Sequence, residues 1–247
     1  MKYIYSYTNS NIAKFKKKAL IWATKYSHFT FLENNAFQYP NQAFRNLLAV
    51  GLSRNVEFKT SNAENSFDVL KNDVKKNNSW LFGYLGYELK NEVENLTSKN
   101  PDFVEAPPIY FYEPEYVFEF FEGKVIISSD NSVDALFDTI QNIDLSKNNF
   151  TIQKQKIAIQ QKIPKEVYCK IIEAIQNNIL EGDVYELNFC MEFFAKNAAI
   201  NPLEIFNKLN TKSPMPFAAF QKINEHYLIC ASPERFLKKV GRKLISQ

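Results

Sequence analysis

Phe217-Ala218-Ala219-Phe220-Gln221 and Tyr227-Leu228-Ile229-Cys230-Ala231, parted by Asn224-Glu225, decide the architecture of this 247-residue chain. Aromatic and β-branched side chains suit a pleated, half-buried surface, and Asn followed by a polar residue is turn chemistry. The two runs therefore predict a β-hairpin. The second arm leads into Ala231-Ser232-Pro233-Glu234-Arg235-Phe236, and residues 236–240 and 243–246 repeat the pattern about Gly241. Strands joined by tight turns run antiparallel.

The segments upstream alternate helices with strands. Pro164 suits the first position of a helix whose apolar face is Tyr168, Ile171, Ile172, Ile175 and Ile179, and Gly182 suits its stop. Residues 184–195 read as a strand, with Tyr185, Leu187, Phe189, Met191 and Phe193 on one face and Glu186, Asn188 and Glu192 on the other. A short helix from Asn201-Pro202 carries Leu203, Phe206 and Leu209. Pro214-Met215-Pro216-Phe217 is a rigid lead-in to the hairpin, because proline fixes its own φ and pushes the preceding residue extended.

In the first half, Phe15, Ala19, Trp22, Ala23 and Tyr26 predict a helix over residues 11–26. Residues 28–32 predict a strand ending at Glu33-Asn34-Asn35, with further strands at 47–52 and 56–60. A polar helix at 65–76 turns Phe67, Leu70 and Val74 inward. Residues 80–87 are an aromatic strand in which Gly83 and Gly86 allow close backbone approach or a bend. Residues 116–121 and 124–128 form a hairpin at Glu122-Gly123, and Asp130-Asn131-Ser132 caps a helix through Ile143. The polar stretch 144–151 divides the chain into regions 1–150 and 151–247, two parts of one intertwined domain. The fold class is α+β with mainly antiparallel sheet.

The chain holds 22 Phe and 13 Tyr, enough for a substantial aromatic core. A net charge of +3 is too small to point to nucleic acid. The run Lys14-Phe15-Lys16-Lys17-Lys18 is read as a solvated helix face. Cys169, Cys190 and Cys230 lack metal-ligand spacing and are read as reduced, buried thiols. No signal-peptide or membrane-span pattern is visible, so a cytoplasmic protein without a membrane partner is expected. His28 and His226 have no ligand-spaced neighbours and are assigned structural or surface roles. P-loop, dinucleotide and nucleophile-elbow patterns are absent.

Glu186 and Glu192 lie six residues apart, about 20 Å along a strand, too far for joint work on one small substrate. Glu234 has two readings. Ser232 and Pro233 suit the cap and first position of a one-turn helix, which makes the glutamate part of a plain turn. Alternatively, a strand end projects the carboxylate into a cleft, where partial burial favours its neutral acid form.

Three segments resemble motifs of the chorismate-utilising family: Gly182-Asp183-Val184-Tyr185-Glu186-Leu187-Asn188, Ser213-Pro214-Met215-Pro216-Phe217 and Ala231-Ser232-Pro233-Glu234-Arg235-Phe236. They stand in the family's order. Phe31-Leu32-Glu33-Asn34 and the run from Trp80 to Lys90 agree more loosely, and the latter resembles the aminodeoxychorismate synthase component I branch. Anthranilate synthase component I is the near relative; its LLES element has a serine where this chain has Asn34.

The resemblance implies two antiparallel sheets stacked as a sandwich with outer helices, incomplete at the C-terminal end, and chorismate bound between the sheets. It implies amination of chorismate to 4-amino-4-deoxychorismate, on the way to para-aminobenzoate and folate, with ammonia delivered by a glutamine amidotransferase subunit. Glu234 matches the family's general acid and base, and Ser232 is substrate-proximal. Leu32, Glu33, Asn34, Pro214, Met215 and Phe217 match a pocket that holds tryptophan in some members. Mg²⁺ is implied, with its ligands beyond Gln247, as is the family's nucleophilic lysine in its PIKGT motif. The 247 residues alone are accordingly expected to be inactive, a binding or interaction module.

Overall fold

The structure is a computed structural model that describes residues 3–38, 45–56, 58, 65–148 and 157–246. The contacts group into two units, Met1–Asn149 with Pro202–Gln247, and Phe150–Asn201.

The first unit is organised by one large sheet. Its strands are β1 (Tyr3–Thr8), β2 (His28–Glu33), β3 (Asn46–Val50), β7 (Tyr116–Phe121), β8 (Lys124–Ser129), β11 (Phe217–Ile223) and β12 (His226–Ser232). They lie in the order β1-β8-β7-β3-β2-β11-β12, with every neighbour antiparallel. A second, three-stranded sheet holds β4 (Arg54–Asn55), β5 (Phe82–Leu85) and β6 (Ile109–Glu113) in the order β4-β6-β5. The pair β13 (Lys238–Val240) and β14 (Lys243–Ile245) completes the described strands of this unit. Its helices are α1 (Ile12–Ala23), α2 (Ser66–Asn77), α3 (Asp134–Gln141) and α5 (Pro202–Lys212).

Alternation along each strand gives the large sheet two apolar faces. Phe29, Phe31, Leu48, Val50, Phe118, Phe120, Val125, Ile127 and Phe220 pack with Phe15, Ala19, Trp22, Ile140, Leu203 and Phe206 from α1, α3 and α5. The alternate residues Leu47, Ala49 and Val117 pack with Phe82 and Tyr112 of the small sheet. Helices, large sheet and small sheet thus form stacked layers, the α+β sandwich with outer helices that the motifs implied.

Local chemistry explains most element ends. Asn11 caps α1 by accepting from the Lys14 N–H at 2.9 Å, and Asn65 caps α2 by accepting from the Phe67 N–H at 2.9 Å. Gly123, Asn224 and Gly241 turn their hairpins with positive φ. A Cβ on Gly83 would sit 1.9 Å from the Tyr110 carbonyl oxygen, so only glycine lets β5 lie against β6 there.

Several expectations need correction. α3 starts at Asp134, after the Asp130-Asn131-Ser132 segment, and Ser132 Oγ donates to the Asp134 carboxylate at 2.6 Å. Phe67 and Val74 of α2 are exposed. The strand expected at 56–60 falls mostly outside the described residues; the preceding Arg54 and Asn55 form the short β4. The lysine run is not wholly solvated: Lys18 is buried and donates to the Gln141 carbonyl, and Lys16 pairs with Glu33. Cys169 and Cys190 are exposed and Cys230 is half-buried, so the thiols are not core residues.

In the second unit, α4 (Lys165–Glu181) follows Pro164 and stops at Gly182, whose φ is +84°. β9 (Gln160–Gln161) pairs with β10 (Phe193–Phe194), and Lys162 Nζ bridges to Glu192 at 2.8 Å. The long strand expected at 184–195 shrinks to β10. Its alternating pattern is present, but a strand needs a partner for its backbone groups, and residues 184–192 form no ladder. None of the described residues of this unit is buried; Tyr168, Ile171, Ile172 and Ile175 are half-buried.

Candidate functional site

One end of the large sheet gathers most of the residues singled out from sequence. β2 ends there at Glu33, β11 begins at Phe217, β12 ends at Ser232 and β3 begins at Asn46. The register pairs Glu33 with Ala218, and Ala218 with Ala231; Phe217 pairs with Ser232. Adjacent strands lie about 4.8 Å apart, so Glu33 and Ala231 are separated by about 10 Å across β11.

The loop after β2 is held by polar contacts. Glu33 is buried, pairs with Lys16 of α1 and accepts from the Asn35 N–H at 3.2 Å. The Asn34 N–H donates to Asn46 Oδ1 at 2.8 Å, and Asn34 Oδ1 accepts from the Ala36 N–H at 2.9 Å. Asn35 and Asn210 exchange two amide hydrogen bonds, at 2.8 and 3.0 Å, and Asn35 Nδ2 also donates to the Met215 carbonyl at 2.9 Å. These bonds draw the 33–35 loop against the 214–217 lead-in. The structure therefore brings Leu32, Glu33, Asn34, Pro214, Met215 and Phe217 together. Leu32 and Met215 are half-buried, Phe217 is buried and Pro214 is exposed.

The Ser232-Pro233-Glu234 turn leaves the end of β12. Ser232 Oγ donates to the Glu234 carbonyl at 2.9 Å and stands 3.4 Å from the Glu234 N–H, a local serine turn rather than a helix start. Glu234 is exposed, which corrects the expectation of partial burial. The buried charge of the turn is Arg235, 7% exposed, with its guanidinium carbon 5.2 Å from the centre of the Phe217 ring. Behind Ser232, burial pushes the Cys230 thiol pKa up, partly offset by a hydrogen bond from the Ser232 backbone.

A polar ladder runs between the two sheets of this unit. His28 Nε2 is 2.8 Å from the Tyr110 hydroxyl and Thr30 Oγ1 is 3.0 Å from the Tyr112 hydroxyl. Gln221 Nε2 donates to Thr30 Oγ1 at 2.8 Å. Burial raises the pKa of both tyrosines and lowers that of His28. The structural role expected for His28 fits this setting. His226 lies at the surface, 2.9 Å from the Val104 carbonyl oxygen.

Lys16, Lys18, Asn35, Asn210 and Arg235 are the residues that sequence reasoning missed. Lys18 had a signal: it stands three residues after Phe15 and four before Trp22, on the inner face of α1. The Asn35–Asn210 pair spans 175 positions and has none. Glu186 and Glu192 belong to the second unit, where Glu186 is exposed. Among the described residues no group of three or more His, Cys, Asp or Glu could hold a metal ion. None of the described helices is long and apolar enough to cross a membrane.

Stacked antiparallel sheets, with a motif-bearing turn and the 33–35 loop at one sheet end, define the class. The chain belongs to the chorismate binding enzyme family, whose model matches residues 19–247. It is 36% identical over 89 residues to a putative aminodeoxychorismate synthase of Schizosaccharomyces pombe, covering 34% of this chain and 12% of that protein. It is 23% identical over 175 residues to aminodeoxychorismate synthase component 1 of Bacillus subtilis, covering 66% and 37%. Anthranilate synthase component I from Streptococcus pneumoniae has a similar fold, with a TM-score of 0.63 at 17% identity, covering 78% of this chain and 51% of that one. The chain thus spans about a third of the longer-matching curated relative and half of the solved one.

Proposed function

We propose that this chain carries part of the chorismate site of an aminodeoxychorismate synthase component I, acting in the cytoplasm in para-aminobenzoate and folate synthesis. The observation that supports it is the Ser232-Pro233-Glu234 turn, a carboxylate presented in the open at the end of the edge hairpin β11–β12. The resemblance of residues 80–90 to that branch, and the names of two relatives, point the same way.

In this reading Glu234 handles the proton at C4 of chorismate. The C4–O bond breaks as the Glu234 carboxylic acid gives its proton to the departing hydroxyl, which leaves as water. An amine nitrogen forms the new bond to the ring, and the resulting carboxylate takes up the proton that nitrogen sheds. Hydroxide leaves poorly, so a placed acid contributes a factor of about 10²–10⁴. Mg²⁺, when bound, would screen the charge of the substrate carboxylates. Ammonia would come from a glutamine amidotransferase partner. The pocket of Leu32, Glu33, Asn34, Pro214, Met215 and Phe217 is the corresponding site for a tryptophan-like ligand.

The test begins with binding. Chorismate added to the ¹⁵N-labelled chain should shift the Ser232, Glu234 and Arg235 amides, and Glu234→Gln should weaken that response. Unchanged turn resonances at saturating chorismate would overturn the proposal. Chromatography after incubation with chorismate, ammonium and Mg²⁺ should show no product from the chain alone. Anthranilate as the product would move the assignment to anthranilate synthase component I.

A further inference from the structure

We infer that Arg235 is the positioning residue of the Glu234 turn, and that it works by docking on Phe217; the inference rests on the function proposed above. The turn has one buried charge, and it is this guanidinium, while its neighbours Glu234 and Phe236 are exposed. A guanidinium is weakly hydrated, stays protonated and stacks on aromatic faces, so it tolerates burial that an ammonium resists. Its platform is fixed: Phe217 is 5% exposed and begins β11, paired in register with Ser232. Pro216 precedes it, and the preceding Met215 carbonyl is held by Asn35.

Ser232 is therefore held by the β-ladder and Arg235 by the ring. Glu234 lies between these two anchors with its amide near Ser232 Oγ. Two anchors three residues apart leave the intervening carboxylate few orientations, although its own side chain is open to solvent. Phe217 also stands beside the 33–35 loop, since its neighbour Ala218 pairs with Glu33 and Asn35 holds the Met215 carbonyl. The same ring thus sets the turn beside that loop, and displacement of Phe217 is passed to Glu234 through Arg235.

The experiment compares the parent chain with Arg235→Met, Arg235→Lys and Phe217→Leu. Met keeps the buried stem without the charge, and Leu keeps the burial without the aromatic face. Amide hydrogen exchange is read at Glu234 and Arg235, with Phe220 in the core as a folding control. Loss of the stack should speed turn exchange about tenfold in Arg235→Met and in Phe217→Leu, with Phe220 unchanged. Arg235→Lys should recover part of the protection. Turn exchange within about twofold of the parent in both variants overturns the inference. Chorismate affinity across pH is read in parallel. A weaker, pH-shifted response in Arg235→Met, partly rescued by Lys, supports positioning, whereas an affinity unchanged in a loosened turn overturns it. A parent chain that binds no chorismate sinks the proposed function, and the exchange rates then decide the Arg235–Phe217 anchor alone.

Discussion

Lowering the pH from about 7.5 to about 5.5 should destabilise the first unit through His28. The imidazole is 1% exposed, 2.8 Å from the Tyr110 hydroxyl and 3.0 Å from Ser27 Oγ. The Tyr110 and Tyr112 rings lie 5.7 and 5.3 Å away. Burial first, and the charge of Lys222 second, hold its pKa below the ordinary 6.5. The unfolded chain therefore takes up a proton near pH 6.5 that the folded chain still refuses. Stability is complete above that pH and is lost as pH falls from 6.5 towards the lowered folded value. One proton gives a slope of at most about 1.4 kcal/mol per pH unit, and therefore a loss of up to about 1.4 kcal/mol between the two pH values.

Urea unfolding followed by tryptophan fluorescence measures this loss, because Trp22 is buried in the core. His28→Gln should lower stability at neutral pH and flatten the slope. His226→Gln, at the surface, should keep it. The exposed carboxylates of Glu88 and Asp144 stay out of the window. Lys90 chiefly holds the first below the usual range, and Ser146 the second. The stability they contribute is present above ordinary carboxylate pKa values and is lost only as pH falls through their lowered ones. A parent chain flat across the window, or a His28→Gln chain with the parent slope, would refute the reasoning.

Four further outcomes test the packing. Gly83→Ala drives a Cβ into the Tyr110 carbonyl and should cost about 3 kcal/mol or prevent folding, whereas Gly182→Ala meets only its positive φ and should cost about 1 kcal/mol; thermal melts separate them. Phe220→Ala removes a ring packed on Phe29, Phe206 and Tyr227, and urea titration should show a loss of about 3–5 kcal/mol. Glu33→Ala strands the Lys16 ammonium and should cost about 3 kcal/mol, much of it recovered when Lys16→Met is added. Glu234→Gln should leave the melting midpoint unchanged, since the carboxylate is exposed and its backbone contacts survive.

The hairpins and helices whose apolar residues follow one period were legible in the sequence. The turns at Glu122-Gly123, Asn224-Glu225 and Gly241 fall where turn chemistry put them, and α1, α4 and α5 follow their three- and four-residue spacings. What failed depended on partners far away in the chain. Alternation over 184–195 gives a strand its faces but not its neighbour, and only Phe193–Phe194 has one. Phe67 and Val74 share a stripe that is left exposed. The candidate site divides in the same way. Its residues could be named from short motifs, but whether Glu234 or Arg235 is the buried charge depends on the Phe217 ring, eighteen positions away.

That division bears on how the two halves of the site are connected. Glu33 and the Glu234 turn are not in contact; β11 lies between β2 and β12 and separates them by two strand spacings. A change in the 33–35 loop therefore has two routes to the turn. It can pass through the backbone ladder of β11, which a packed sheet resists. It can also pass through Asn35, Met215 and Phe217 to Arg235, by way of a hydrogen bond and a ring contact. The second route is the softer one, because the 214–217 lead-in precedes most of the ladder and proline supplies no N–H to pair. Substitutions in that lead-in should consequently disturb the 33–35 loop and the turn together, while substitutions deeper in β11, such as Phe220→Ala, should act on stability alone.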